Sequence, residues 1–244
     1  MTALELQRVS KFFGGNHAVE QVSFAISRGT ITSLIGPNGS GKSTIVNLLS
    51  GMLPPTAGSI AVHGQRVRLP LHPSDVPRYG MTRTFQDVRV FEQMSVLDNI
   101  LVVLTRRNVW GSFVDHLLHV PMQRAEEVLR KVGLWEKRRE LASRCSYGQR
   151  KLLEIARALA MDVDVYLFDE PFAGLFPEMM KIVVAIMQEL KQRGKTIILI
   201  EHNMSLIRLL SDRVIVLDAG KVLAEGTPDA VLKRAEVIEA YLGV

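Results

Sequence analysis

The feature that most restricts the fold of this chain is a glycine-rich segment between an apolar run and a helical run. The pattern is two glycines separated by four residues and followed by Lys and Ser/Thr, and it reads Gly36-Pro37-Asn38-Gly39-Ser40-Gly41-Lys42-Ser43-Thr44. The preceding run Ile31–Ile35 has the length of a buried strand, and a helix is predicted to begin near Lys42. A strand, a glycine-rich turn and a helix in this order predict a phosphate-binding unit.

The residue types in this segment fit a nucleotide triphosphate. Glycines allow consecutive backbone N–H groups to turn toward phosphates, and the helix N-terminus adds the positive end of its dipole. Lys42 is expected to reach the β- and γ-phosphates, while the Ser43 hydroxyl is expected to bind Mg²⁺. A nucleoside triphosphate and Mg²⁺ are therefore the predicted ligands.

A second apolar run, Val165–Phe168, ends in two carboxylates, Asp169 and Glu170. Ligands of open α/β sheets bind at the carboxyl ends of the strands, so both acids are expected to face the phosphate site. Asp169 would support the shell of the metal, and Glu170 would act as base on the attacking water or orient it. A strand followed by Asp-Glu is weak evidence by itself, and it indicates a phosphate site here because the glycine-rich segment lies upstream.

A third motif, Cys145-Ser146-Tyr147-Gly148-Gln149, precedes an amphipathic run through Leu159. Ser146 is placed to cap the helix, and Gly148 keeps the backbone open. A helix N-terminus of this kind can bind an anion.

Composition narrows the class of protein. The chain has 244 residues and a net charge of +5, and its basic residues are scattered, which does not favour nucleic acid as a partner. The single cysteine, Cys145, cannot form an internal disulfide, and Met1–Leu6 lacks the pattern of a secretory signal. No apolar run has the length of a membrane span. These features predict a cytoplasmic protein that serves a membrane only through a partner.

The order of predicted elements indicates one α/β domain over residues 1–244. Alternating residues in the opening stretch, broken at Gly14-Gly15, predict an antiparallel β subdomain. Strand and helix alternation resumes after a helical stretch. The expected core is 1–86 and 163–244, with an inserted α-helical subdomain at about 87–162.

The order of these motifs along the chain resembles the ATP-binding subunits of ABC transporters, over essentially its whole length. The resemblance implies a P-loop NTPase (RecA-like) core and a dimer that sandwiches two ATP molecules. It implies that Ser146, Gly148 and Gln149 form the signature that acts on nucleotide held by the opposing subunit. Gln86 resembles the Q-loop glutamine near Mg²⁺ and the attacking water, His202 the switch histidine at the γ-phosphate, and Phe13 the aromatic residue that stacks on adenine.

Within that family, the sequence is most similar to those of branched-chain amino acid importers, for example in Thr82-Arg83-Thr84-Phe85-Gln86 and in Val237–Gly243. Related importers of amides and urea share much of this sequence, so the resemblance implies a branched-chain amino acid or a related small polar solute as the substrate. The resemblance implies ABC permease subunits as partners and a peripheral position on the cytoplasmic face of the inner membrane. The second ATPase of the dimer would be a copy of this chain or a related subunit. Cys145 and Phe176 depart from the family's usual Leu and Asp/Asn, and Cys145 is expected to be packed rather than reactive.

Three other functions stay open at this point. An exporter ATPase, for example one that moves lipopolysaccharide, shares the general motifs. A soluble ABC ATPase acting on ribosomes or in DNA repair typically carries two cassettes or a long coiled-coil insert, which this sequence does not contain. A catalytically silent binding module is disfavoured by the intact residues Lys42, Asp169, Glu170 and His202.

Overall fold

The computed structural model describes residues 1–104 and 119–242, and the elements below are those of these residues. The part of the expected helical subdomain at 105–118, and Gly243, lie outside the described residues. The elements in chain order are β1 (Thr2–Phe13), β2 (Asn16–Ser27), β3 (Ile31–Ile35), α1 (Lys42–Leu49), β4 (Ala57–Val62), β5 (Gln65–Arg66), β6 (Met81–Arg83), α2 (Val96–Leu104), α3 (His119–Lys131), α4 (Tyr147–Ala160), β7 (Val165–Asp169), α5 (Pro177–Gln192), β8 (Thr196–Ile200), α6 (Met204–Leu210), β9 (Arg213–Asp218), β10 (Lys221–Gly226), α7 (Pro228–Val231) and α8 (Ala235–Leu242).

The chain divides into two compact units. Unit 1 contains Met1–Arg83, Asp164–Glu170 and Met187–Val244, and unit 2 contains Thr84–Val163 and Pro171–Ile186. The ten strands found in the described residues all belong to unit 1. Among the described residues, no helix combines the length and the apolarity that a membrane crossing requires.

Unit 1 is built from two sheets. The first is antiparallel, in the order β2-β1-β4-β5, and the second has the order β10-β9-β3-β8-β7-β6. In the second sheet every neighbouring pair from β9 to β6 is parallel, and β10 is antiparallel to β9. The predicted α/β core and antiparallel β subdomain are confirmed.

The parallel strands are buried on both faces, which explains why they read as continuous apolar runs. Leu34 and Ile215 belong to one large core cluster, while their chain neighbours Ile35 and Val214 belong to a second cluster. Successive side chains of a strand point to opposite faces of the sheet, so β3 and β9 each supply both cores. Because each of these strands is packed on both faces, its carboxyl end and the loop that follows are held in place.

Unit 2 is mainly helical in its described part. Helices α2, α3 and α4 pack on one another, and the amphipathic run predicted through Leu159 is observed as α4. The segment Pro171–Ile186, which includes the first part of α5, also belongs to this unit.

Candidate active site

The glycine-rich segment connects β3 to α1, as its sequence predicts. Gly36 has φ of 150°, and a Cβ there would lie 2.1 Å from the carbonyl oxygen of Leu217. Gly41 has φ of 100°, and a Cβ there would lie 2.6 Å from the carbonyl oxygen of Ala18. Both positions therefore require glycine for conformation and for space.

Lys42, the first residue of α1, is buried and turned back over the loop. Its ammonium donates hydrogen bonds to the carbonyl oxygens of Gly36 and Pro37, each at 2.8 Å. Burial lowers the pKa of Lys42, and the negative charges of Glu170 and Asp169 oppose that shift. A cation held in this way is ready to exchange the two carbonyl oxygens for phosphate oxygens.

The two predicted carboxylates lie at the end of β7, beside the end of β8. Asp169 is the last residue of β7 and is in register with Ile200, which is itself in register with Leu34 of β3. The backbone of Glu170 adopts φ of 47°, a left-handed conformation that is uncommon for a residue other than glycine. Strain of this kind persists where the surrounding structure holds it, often at functional sites, and here the Glu170 N–H donates to the Ile200 carbonyl at 3.0 Å.

His202 follows β8 and contacts Glu170 directly. Its Nε2 lies 2.9 Å from Oε1 of Glu170. An ionised carboxylate can only accept, so Nε2–H is the donor in this pair when Glu170 is charged. The Glu201 carboxylate accepts from the His202 N–H at 3.0 Å, and the Asn203 side chain caps α6, so the turn that carries the histidine is held on both sides.

The parallel sheet thus brings Lys42, Asp169, Glu170 and His202 to one edge of unit 1. The other predicted residues of the loop lie with Lys42: Ser40 is buried, Thr44 is half-buried, and Asn38, Gly39 and Ser43 are exposed. Phe13 ends β1 in the same unit, with its ring exposed and the Lys11 ammonium 5.1 Å from the ring centroid.

Gln86 lies in unit 2, with an exposed side chain on an anchored backbone. The fully buried Lys151 of α4 donates from Nζ to the carbonyl oxygens of Phe85 and Gln86, each at 2.9 Å. One turn further along α4, Glu154 accepts from the Phe85 N–H at 3.1 Å. The helix therefore holds the chain at Gln86 by both carbonyl and amide groups.

The side chain of Glu154 is buried, and its pKa differs from that of an exposed glutamate. Burial raises its pKa above the ordinary 4.5, while the Phe85 N–H and the Lys151 charge oppose that shift. The folded chain then binds the proton more tightly than the unfolded chain does. This group consequently favours folding fully below pH 4.5, and the contribution is lost as the pH rises through the folded-state pKa.

The signature residues also lie in unit 2, at the start of α4. Ser146 is the N-cap, as predicted: its hydroxyl accepts from the Gln149 N–H, and the Gln149 side chain accepts from the Ser146 N–H. A Cβ on Gly148 would lie 2.6 Å from the sulfur of Met179. Cys145 is buried, and this burial raises its pKa, which agrees with the expectation of a packed thiol. Phe176 of the same unit is 74% exposed.

Sequence reasoning assigned no role to Arg83, which the structure places against Asp169. The Arg83 Nη2 donates to the Asp169 Oδ2 at 2.9 Å, and both side chains are only 9% exposed. Asp169 stands 86 residues away from Arg83 in the sequence, so no local pattern indicated this pair.

A parallel sheet with a glycine-rich loop, a buried lysine and carboxylates at its strand ends defines a P-loop nucleotide-binding ATPase. Comparison with known proteins agrees. Residues 19–173 match the model of the ABC transporter family, and residues 221–244 match that of the branched-chain amino acid ATP-binding cassette transporter family.

Individual relatives cover almost the entire chain. The chain is 39% identical to the high-affinity branched-chain amino acid transport ATP-binding protein LivG of Escherichia coli K12, covering 95% of this chain and 94% of LivG. It is 36% identical to the corresponding protein BraF of Pseudomonas aeruginosa, covering 98% and 97%. A crystal structure of a nucleotide-free ATP-binding cassette from an ABC transporter superposes with a TM-score of 0.87 at 30% identity, covering 100% of both chains.

These findings establish the family. The chain belongs to the ABC transporter family, as one of its ATP-binding, ATP-hydrolysing subunits.

Proposed function

We propose that this chain energises the uptake of branched-chain amino acids, as one of two ATPases on the cytoplasmic face of a permease in the inner membrane. The main support for this proposal is the similarity to LivG and BraF over nearly the whole chain. The C-terminal segment also matches the branched-chain family model. The partner ATPase would be a second copy or a related subunit.

The roles of the residues in nucleotide binding follow from their chemistry. Lys42 would bind the β- and γ-phosphates, together with the backbone N–H groups of residues 38–44, while Phe13 would stack on adenine. Ser146, Gly148 and Gln149 would act on nucleotide held by the other subunit. Ser146 and Tyr147 are exposed at the N-terminus of α4, and the positive end of the helix dipole there favours an anion.

The donor set fits Mg²⁺. The Ser43 hydroxyl and the Asp169 carboxylate supply hard oxygen atoms, and a magnesium ion bound to phosphates needs only one or two protein ligands of that kind. When bound, the ion would neutralise charge on the phosphate oxygens. Gln86, whose backbone carbonyl accepts from Lys151, would be a further residue of the metal shell, as the family resemblance implies.

Hydrolysis would depend on Glu170 as the base for the attacking water. The hydrogen bond of 2.9 Å from His202 holds the Glu170 carboxylate, and the left-handed backbone at Glu170 fixes the direction of the side chain. His202 would also stabilise charge at the γ-phosphate.

Glu170→Gln tests the chemistry, because it keeps the shape of the side chain and removes the base. The variant should bind ATP, hydrolyse it about 10²- to 10⁴-fold more slowly, and accumulate as an ATP-dependent dimer with itself or its partner subunit. Undiminished hydrolysis would remove Glu170 from the mechanism.

Lys42→Ala tests the nucleotide site. It should lose binding of a fluorescent ATP analogue, whereas Lys181→Ala, at a side chain that is 72% exposed, should retain it. Retained affinity in Lys42→Ala would contradict the assignment of the loop.

The transport assignment needs the intact complex. The tagged chain, purified from gently solubilised membranes, should bring two polytopic permeases and a second ATPase, identified by mass spectrometry. An exporter-type membrane protein, or ribosomal proteins without a permease, would leave the ATPase in place and overturn the import assignment.

A further inference from the structure

Arg83 is the last residue of β6 and forms bonds with two different elements. Its Nη2 donates to the Asp169 carboxylate at the end of β7, at 2.9 Å. Its Nη1 donates to Oδ1 of Asn47 at 2.7 Å and to Oγ of Ser50 at 2.8 Å. One guanidinium group therefore bridges the carboxylate and helix α1.

The α1 side of this bridge is itself fixed. Asn47 lies within α1, and Ser50 caps its C-terminus, with a hydroxyl that donates to the Val46 carbonyl at 2.8 Å. Because the guanidinium is planar and rigid, holding one of its nitrogens on α1 sets the direction in which the other approaches Asp169. Helix α1, whose first two residues are Lys42 and Ser43, thus also sets the orientation of the Asp169 carboxylate.

We propose that Arg83 is a positioning residue for ATP hydrolysis, which orients Asp169 relative to α1. The inference rests on the role proposed for Asp169 in the metal shell. Charge alone does not account for the arrangement, since a lysine would neutralise the carboxylate but could not present two nitrogens in fixed directions to three acceptors. Buried ion pairs are also poor sources of net stability, which favours a positional role over a purely structural one.

The test uses the full-length chain in the preparation in which the wild type hydrolyses ATP. Arg83→Met and Arg83→Lys should retain affinity for a fluorescent ATP analogue within about threefold, because the phosphate-binding loop is unchanged. Their kcat should fall about 10- to 100-fold, the range expected when a reacting group is misplaced by a fraction of an ångström to one ångström. Arg213→Met is the matched control, since Arg213 in the same unit donates to the Ala25 carbonyl at 2.6 Å and pairs with Glu225, and it should keep kcat within about twofold.

A second pair of variants separates this inference from the proposed function. Asp169→Asn alone should lower kcat, and if it does not, the role of Asp169 is wrong. If Asp169→Asn does lower kcat, adding Arg83→Met should cause little further loss, because both changes act through the same carboxylate. A multiplicative loss in the double variant would show that Arg83 acts elsewhere and would overturn the inference.

Two further results would also overturn it: wild-type kcat in Arg83→Met, or full activity in Arg83→Lys, which would mean that charge alone suffices. If Arg83→Met does not fold, Asn47→Ala provides the test, because it removes one of the two α1 acceptors and leaves the ion pair. A reduced kcat with retained nucleotide affinity in Asn47→Ala supports the inference, and a wild-type kcat refutes it.

Discussion

Lys151 offers the sharpest test of how the chain is held at Gln86. Its side chain is fully buried, and its ammonium donates to the carbonyl oxygens of Phe85 and Gln86, each at 2.9 Å. Lys151→Met keeps an unbranched side chain of similar length and removes the charge and both donors. The substitution therefore tests the bonds rather than the volume.

The expected loss of stability follows from these contacts. A hydrogen bond to a charged group contributes about 1.5–3 kcal/mol, and breaking a buried charge pair by removing one partner costs about 3–5 kcal/mol. Since Lys151 also offsets the charge of Glu154, and since releasing a buried ammonium recovers part of the desolvation cost, we expect a net loss of about 3 kcal/mol. For a chain of this size, that loss corresponds to a decrease in Tm of about 6–12 °C.

The assay is thermal and urea unfolding followed by tryptophan fluorescence, in which Trp135 reports on unit 2. Lys181→Met is the matched control, because Lys181 pairs with Glu178 at side-chain exposures of 72% and 80%. An exposed pair of this kind contributes about 0–1 kcal/mol. If Lys151→Met and Lys181→Met have the same Tm and the same urea midpoint, the hydrogen bonds to Phe85 and Gln86 do not hold the segment, and the reasoning fails.

Two other predictions concern a glycine and a buried acid. Gly36→Ala should abolish nucleotide-analogue binding and lower the Tm strongly, because its Cβ would lie 2.1 Å from a carbonyl oxygen. Gly14→Ala is the control: a Cβ there has nothing within 4 Å, so the substitution should cost only the backbone strain of its φ of 57°. Equal effects of the two substitutions would contradict the packing at Gly36. Glu154→Gln keeps an acceptor for the Phe85 N–H and removes the raised pKa, so its stability relative to wild type should rise between pH 4.5 and neutral pH in urea unfolding. A difference that does not change with pH would refute the effect of burial.

The strands of the parallel sheet could be predicted because each buried strand is a run of consecutive apolar residues. Ile31–Ile35 is observed with the predicted bounds, and the run predicted as Val165–Phe168 extends one residue further, to Asp169. Five adjacent buried side chains and a polar or glycine stop leave little choice of structure. Once the strands are parallel, their carboxyl ends coincide, which brings the predicted Lys42 and Asp169 to one edge.

The supporting side chains could not be predicted, because their partners are distant in sequence. Arg83 meets Asp169 across 86 residues, and Lys151 meets Gln86 across 65. Charged residues on one face of a helix ordinarily indicate a face in water. In α4 that rule gives the wrong environment for Lys151 and Glu154, since both are buried. Lysine and glutamate are rarely buried without partners, and those partners exist only in the folded chain.

The reason for these buried charges lies in the irregular backbone around Gln86. Residues 84–95 form neither helix nor strand, so their backbone N–H and C=O groups need partners from elsewhere. Side chains of α4 bond Phe85 and Gln86, and the fully buried Asn99 of α2 accepts from the Phe91 N–H at 2.8 Å and donates to the Phe91 carbonyl at 3.0 Å. Apolar side chains in α4 and α2 would pack as well but would leave these backbone groups buried without partners. Charged and amide side chains are therefore what allow an irregular segment to hold an exposed glutamine at a defined place.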